Sequence, residues 1–168
     1  MLNENPLLTD WNTPYKIAPF DEILDGHFYE AVERAMEYEL QEIQEISENS
    51  NPPTFENTIH PLLRSGYLLE RILSVFYTLV SADSNTQRET LMTEFSPKLS
   101  LHSSKITSNE KLFNRIHELF EQIDNLNLLP EEKRLLEKIH QDYVRAGAAL
   151  NNQSKERLKD IKKQLSIL

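Results

Sequence analysis

The chain has no cysteine and only three glycines in 168 residues. Without thiols there is no disulfide framework, no thiolate nucleophile and no cysteine-based metal site. With so little glycine there is no Gly-rich loop to cradle a phosphate. Long hydrophobic runs are missing as well. The most apolar stretch, Tyr67 to Val80, carries Glu70 and Arg71, whereas a membrane span needs about 18–20 apolar residues in succession. Positive charge is in deficit, 18 Lys and Arg against 27 Asp and Glu, for a net charge of −9. No basic stripe interrupts that excess, which argues against nucleic acid and anionic membrane surfaces as partners. No apolar segment follows a basic one near Met1, so no leader is expected in the chain as it stands, and the expected location is the cytoplasm.

What is plentiful is Leu, Glu, Lys, Ile and Gln, a helix-forming composition, and no stretch alternates apolar and polar residues as a half-buried strand would. The length suits one domain with a real core. The expected fold is therefore all-α, about six helices in an irregular bundle forming a single helical domain over 1–168, preceded by an extended proline-containing arm at 1–20. No 34-residue or similar period recurs, which excludes a repeat solenoid.

Along the chain, Pro6, Pro14 and Pro19 block helix in Met1 to Phe20, while Trp11, Tyr15, Ile17 and Phe20 supply apolar groups with which the arm can dock. A first long helix is predicted over Gly26 to Glu48 with Asp25 as its N-cap. Thr54 to Asp83 reads as a buried central helix on which the others pack. Thr54 is its N-cap, Asn57 sits at the capping-box position, and Pro61 implies an irregular first turn or a kink. A third helical stretch, Asn85 to about Ser108, is expected to be interrupted at Pro97. A fourth runs Asn109 to Asn125, a fifth from Pro130 along an apolar face reaching Leu150, and a last one from a Ser154 cap to Leu168.

Residues 21 to 48 hold ten acids against the single base Arg34 and so carry the whole net charge. This is either a solvated helix face or a docking face for a basic partner, and the basic stretch Ser154 to Leu168 offers an internal one.

Catalytic candidates dissolve on inspection. His117-Glu118-Leu119-Phe120-Glu121 begins like HExxH, in which two His four apart bind zinc and the Glu acts as base, but Glu121 stands where the second His is needed. Asp83 to Glu94 places Asp, Asn, Gln and Glu at positions one, three, five and twelve of an EF-hand loop, yet Arg88 occupies the sixth, where the sharp turn needs Gly. His27, His60, His102 and His140 are scattered, and no nucleophile, base and oxyanion site can be assembled from the sequence.

Several stretches resemble a known family. They are Asn5-Pro6-Leu7-Leu8, Ala18-Pro19-Phe20-Asp21-Glu22-Ile23 with His27-Phe28, Pro53 to Ile59 (PTFENTI) with Arg64-Ser65-Gly66, and Val75 to Leu79 with Ser81-Ala82-Asp83. Glu94 to Leu99, Lys111-Leu112-Phe113, Glu132 to Leu136 and Val144 to Ala148, which contains RAGA, continue the series in order to the end of the chain. Together they resemble the N-terminal region of the M3 zinc metallopeptidases, of the peptidyl-dipeptidase type and near oligopeptidase A. The resemblance implies a longer all-α protein with two helical halves around a deep channel. It also implies a downstream HExxH helix whose zinc activates water, and short peptides as substrates from which C-terminal dipeptides are released. HExxH is absent from this chain, so no catalytic, cofactor-binding or metal-binding role passes to any residue here. Zinc belongs to the longer protein, the partner of this segment is the downstream catalytic region, and the segment builds part of the channel half opposite the zinc. Two other readings stay open: a free-standing helical interaction module without activity, and a self-sufficient metal site at His117.

Overall fold

The computed structural model of the chain describes residues 5–151, 153–155, 157, 158 and 161. Among them the fold is all-α, with six helices: α1 His27–Ser47, α2 His60–Arg64, α3 Tyr67–Ala82, α4 Thr86–Thr107, α5 Glu110–Glu121 and α6 Pro130–Ala146. They form two compact units. The first comprises residues 1–42 and 65–98, the second residues 43–64 and 99–168.

In the first unit three phenylalanines from three helices meet edge to face. Phe76 of α3 lies 5.1 Å from Phe28 of α1 and 5.2 Å from Phe95 of α4, centroid to centroid. All three are fully buried, as are Val32 and Ile72. Edge-to-face aromatic pairs add about 0.5–1.5 kcal/mol each beyond the area they bury. The arm docks here, as expected, and of the four apolar residues expected to dock it Trp11 takes part. Leu7 is its buried anchor, whereas Tyr15, Ile17 and Phe20 are exposed. Arg71 explains the attachment. Its Nη2 donates to the carbonyls of Leu7 and Thr9 at 3.1 and 3.0 Å, and its guanidinium lies 4.5 Å over the Trp11 ring. A backbone without a partner strand needs such donors, and one arginine fork serves two carbonyls. Residues 1–4 of the arm lie outside the described residues.

The stretch predicted as one central helix is broken. It opens with a capping box at Thr54, in which Asn57 N–H donates to Thr54 Oγ1 at 3.1 Å and Thr54 N–H to Asn57 Oδ1 at 2.8 Å. A wide turn, Phe55–Ile59, precedes α2, which agrees with the irregular start expected from Pro61. The helix then stops at Gly66, whose φ of 73° is left-handed. A Cβ there would fall 2.5 Å from the Glu39 carboxyl group, and the Gly66 N–H donates to Glu42 Oε2 at 2.9 Å. Only glycine combines that φ with that approach. Nor is α3 buried all round: Leu69, Ile72, Val75 and Phe76 face inward, while Tyr67 and Tyr77 are exposed.

Helix α4 runs through Pro97 without interruption, contrary to expectation. Proline removes one ladder donor, and buried Leu91 and Phe95 before it and His102 after it hold the helix on both sides. Asn85 caps α4 by accepting from Arg88 N–H at 2.9 Å. Asp25, predicted as the cap of α1, is engaged instead by Asn85 Nδ2 at 2.7 Å and Arg88 Nε at 2.6 Å. Burial raises its carboxyl, but those hydrogen bonds and the guanidinium charge outweigh it and hold the group below the usual carboxylate range.

The second unit packs α5 and α6 with Ile43, Ile46, Phe55 and Ile59 around Leu112, Ile116, Leu119 and Leu136. Asn109 caps α5 by accepting from Leu112 N–H at 3.0 Å. Helix α5 ends at Glu121, shorter than predicted, and 122–126 continue as turns. Helix α6 begins at Pro130 and ends at Gly147 rather than Leu150. There the φ of 99° and bonds from Gly147 N–H to the Val144 carbonyl and Ala148 N–H to the Tyr143 carbonyl close a Schellman cap. The following turn is capped by Asn151, which accepts from Ser154 N–H at 2.9 Å, so Ser154 is not the cap. Most of the last predicted helix lies outside the described residues.

Candidate functional site

The acidic stretch of α1 is paired largely within the helices. In the first unit Lys98 donates to Glu33 and to the Tyr29 hydroxyl, which together push its ammonium up to about 12. In the second, Lys111 lies 3.1 Å from Glu48. Glu42 is taken by Gly66, and Arg34 faces Glu30 at 3.5 Å. Among the described residues the cations paired with the acidic stretch 21–48 include Arg88, Lys98 and Lys111, while most of the C-terminal basic stretch suggested by composition lies outside the described residues. Glu37 and Glu45 remain exposed as a solvated face.

The EF-hand-like spacing is not a loop. Asp83 closes α3, Asn85 caps α4, and the remaining positions are helical. Of the scattered histidines, His27 Nδ1 accepts from Leu24 N–H at 3.1 Å, and His60 meets the Phe55 ring edge-on.

His117 and His140 do come together, a juxtaposition invisible in the sequence because the two lie on different helices. His117 sits on α5 and His140 on α6, with His117 Nδ1 and His140 Nε2 3.0 Å apart. The ring planes differ by 16° and the centroids are 5.2 Å apart, little more than that contact plus two ring radii. The imidazoles therefore meet edge to edge through an in-plane N–H···N bond. Phe120 covers His140 at 3.9 Å with parallel planes, and Phe113 lies 5.7 Å from each ring. The Glu121 carboxylate is 3.6 Å from His117 Nε2 and favours a proton there. His117 Nδ1 is then left to accept from His140 Nε2–H, an orientation assigned from the hydrogen-bond network. Burial pushes the His140 imidazole down, and the nearby His117 adds to the effect.

This donor set does not fit zinc. The two ring nitrogens are spent on each other rather than aimed at a common point, and Glu121 faces the opposite nitrogen of His117. Among the described residues no group of three His, Asp, Glu or Cys side chains could hold a metal ion. The pair can share a proton across the 3.0 Å contact.

A second feature lies on α3. Tyr67, Glu70, Ser74, Tyr77, Thr78 and Ser81 recur at helical spacing and are all exposed. Two shallow depressions run beside them, one lined by Glu39, Gly66, Leu69 and Leu73, the other by Tyr77, Ser81 and Ala82.

The chain is 35% identical, over all of its 168 residues, to the dipeptidyl carboxypeptidase of Escherichia coli K12, of which it covers 25%. It is 37% identical over 94% of its length to the dipeptidyl carboxypeptidase of Salmonella typhimurium, covering 23% of that protein. This chain matches the N-terminal part of the dipeptidyl carboxypeptidases. Oligopeptidase A of Escherichia coli K12 is a more distant relative, 26% identical over 98% of the chain and covered to 24%. No family model matches. The chain spans about a quarter of the length of these dipeptidyl carboxypeptidases, consistent with the M3 resemblance. No helix among the described residues is long and apolar enough to cross a membrane.

Proposed function

We propose that this chain is the N-terminal, non-catalytic helical region of a zinc-dependent peptidyl-dipeptidase that takes short peptides and releases C-terminal dipeptides. Residues 1–168 act as one helical domain of that longer protein and build part of the channel half opposite the zinc, with the cytoplasm as the place of work. The observation that carries the reading is end-to-end similarity to dipeptidyl carboxypeptidases confined to about a quarter of their length. The chemistry of the histidines supports it. The one stretch resembling a zinc helix, His117 to Glu121, has its histidine committed to His140, so zinc and the water it activates are supplied by residues downstream. The role of this region is to position helices, and its dense capping and buried aromatic contacts suit that role.

The test is to express the complete reading frame and the 168-residue chain side by side. Each is assayed for zinc content and for dipeptide release from an N-terminally blocked pentapeptide. The longer protein should hold one zinc and cleave, and the 168-residue chain should do neither. Stoichiometric zinc and cleavage by the short chain would overturn the proposal. A reading frame that stops near Leu168 would leave a helical interaction module.

A further inference from the structure

Resting on that proposed function, we propose that the tyrosine-bearing face of α3 is the seat on which the downstream part of the longer polypeptide docks. A solvated helix in this acidic chain looks like α1, which exposes Tyr29 and Tyr38 but sets them among Glu30, Arg34, Glu37 and Glu45. The outer face of α3 is built differently. Over Tyr67, Glu70, Ser74, Tyr77, Thr78 and Ser81 it carries one formal charge, and its remaining groups are aromatic rings and small hydroxyls. The neighbouring cation, Arg71, is turned away onto the Leu7 and Thr9 carbonyls. Tyr67 is 67% exposed and Tyr77 43%, large rings left in water on the most apolar helix of the chain.

Depletion of charge together with exposed tyrosine is the composition of a contact core, because tyrosine buries a large rigid surface at low entropic cost and keeps a polar tip. The depressions beside the stripe, floored by Leu69 and Leu73 and edged by Ala82, would take apolar side chains. Glu39 and Glu70 at the rim favour neutral or basic neighbours over acidic ones. Chain length identifies the occupant. The matched relatives have about three quarters of their chain beyond the part matched here. A protein of that size needs this region to offer a low-charge surface to the rest, and the outer face of α3 is one that also carries two exposed tyrosines beside apolar depressions.

Tyrosine nitration with peptide mapping tests the seat. Tetranitromethane is applied to the 168-residue chain and to the protein of the complete reading frame at several concentrations. Tyr67 and Tyr77 should react about tenfold more slowly in the longer protein, as expected for rings at a desolvated contact centre. The double variant Tyr67→Glu with Tyr77→Glu should leave the melting midpoint of the 168-residue chain within about 2 °C, a surface-sized effect, and lower that of the longer protein. Equal nitration in an active longer protein would refute the seat alone. Protection that grows with concentration in the 168-residue chain would assign the face to a second copy and also refute it. A reading frame without a downstream part would remove both the proposed function and this proposal.

Discussion

Replacing Arg115 with methionine keeps the aliphatic stem and deletes the guanidinium, which isolates what that group does. Arg115 is 8% exposed on α5, and four oxygens from the preceding connection surround its fork. Nη1 donates to the carbonyls of Asn49 and Asn51 at 2.8 and 2.9 Å, and Nη2 donates to Asn57 Oδ1 at 2.8 Å and Thr58 Oγ1 at 3.1 Å. Hydrogen bonds to a charged group contribute about 1.5–3 kcal/mol each, so the gross value is about 6–12 kcal/mol. Three features reduce the loss. Asn57 Oδ1 still accepts from Thr54 N–H and from the Thr58 hydroxyl. Asn51 is exposed, so water can reach it. The wild-type guanidinium is itself partly desolvated, which pushes its pKa down and sets a penalty that methionine avoids. The expected net cost is about 2–4 kcal/mol, a fall in melting midpoint of about 4–16 °C for a chain of this size. The assay is urea unfolding monitored by far-ultraviolet circular dichroism, because the single tryptophan, Trp11, belongs to the first unit and does not report on the second. Amide exchange over residues 49–58 supplies the local readout and should accelerate in Arg115→Met beyond the acceleration in the α6 amides. Arg115→Lys should fall between the two, since an ammonium cannot span both pairs of acceptors. A variant within about 0.5 kcal/mol of wild type, or unchanged exchange over 49–58, would refute the reasoning.

Other changes have equally defined outcomes. The depressed His140 pKa means that the folded chain prefers the neutral ring, so this contribution to stability is present above the ordinary value of 6.5 and is lost as pH falls through the folded value. Melting at pH 7.5 and at pH 5.5 should show a smaller drop for His140→Gln than for wild type, and an equal drop would count against a His140 ring held neutral by burial. Gly66→Ala should cost about 1–3 kcal/mol through left-handed strain and collision with Glu39, measured by thermal unfolding. Phe76→Ala should cost about 3–5 kcal/mol, because Phe76 is fully buried between Phe28 and Phe95, and calorimetry would register it.

The parts of this structure that sequence could reveal are those written within one helical turn. Thr54 with Asn57, Asn109, and Pro130 with its neighbouring acids each place cap and capped group three or four residues apart, so a reader of the sequence sees both partners. Two breaker residues act against their first appearance. Gly66 interrupts an otherwise apolar helical run and marks the break that separates α2 from α3, whereas Pro97 looks like a break and is absorbed by the burial of its neighbours. Contacts that span the chain left no local trace. Arg115 finds acceptors 57 to 66 residues earlier, and His117 finds His140 23 residues later. Helical periodicity puts Arg115 beside the apolar face of α5 but cannot say that the buried neighbours are carbonyls.

That distinction bears on the function as well. The family resemblance is spread over the length of the chain, through PTFENTI at one helix start and RAGA at one helix end. Both stretches contain residues that fix backbone geometry: a capping box at Thr54 and Asn57, and a left-handed stop at Gly147. Zinc chemistry would need donors that converge, and His117 and His140, which do meet, bond each other instead. Under the proposed function, a region whose recognisable residues set helix boundaries, and whose His117 and His140 bond each other, would hold surfaces in place. Its outer face on α3, poor in charge and bearing two exposed tyrosines, is the surface through which such a scaffold would hold the downstream polypeptide.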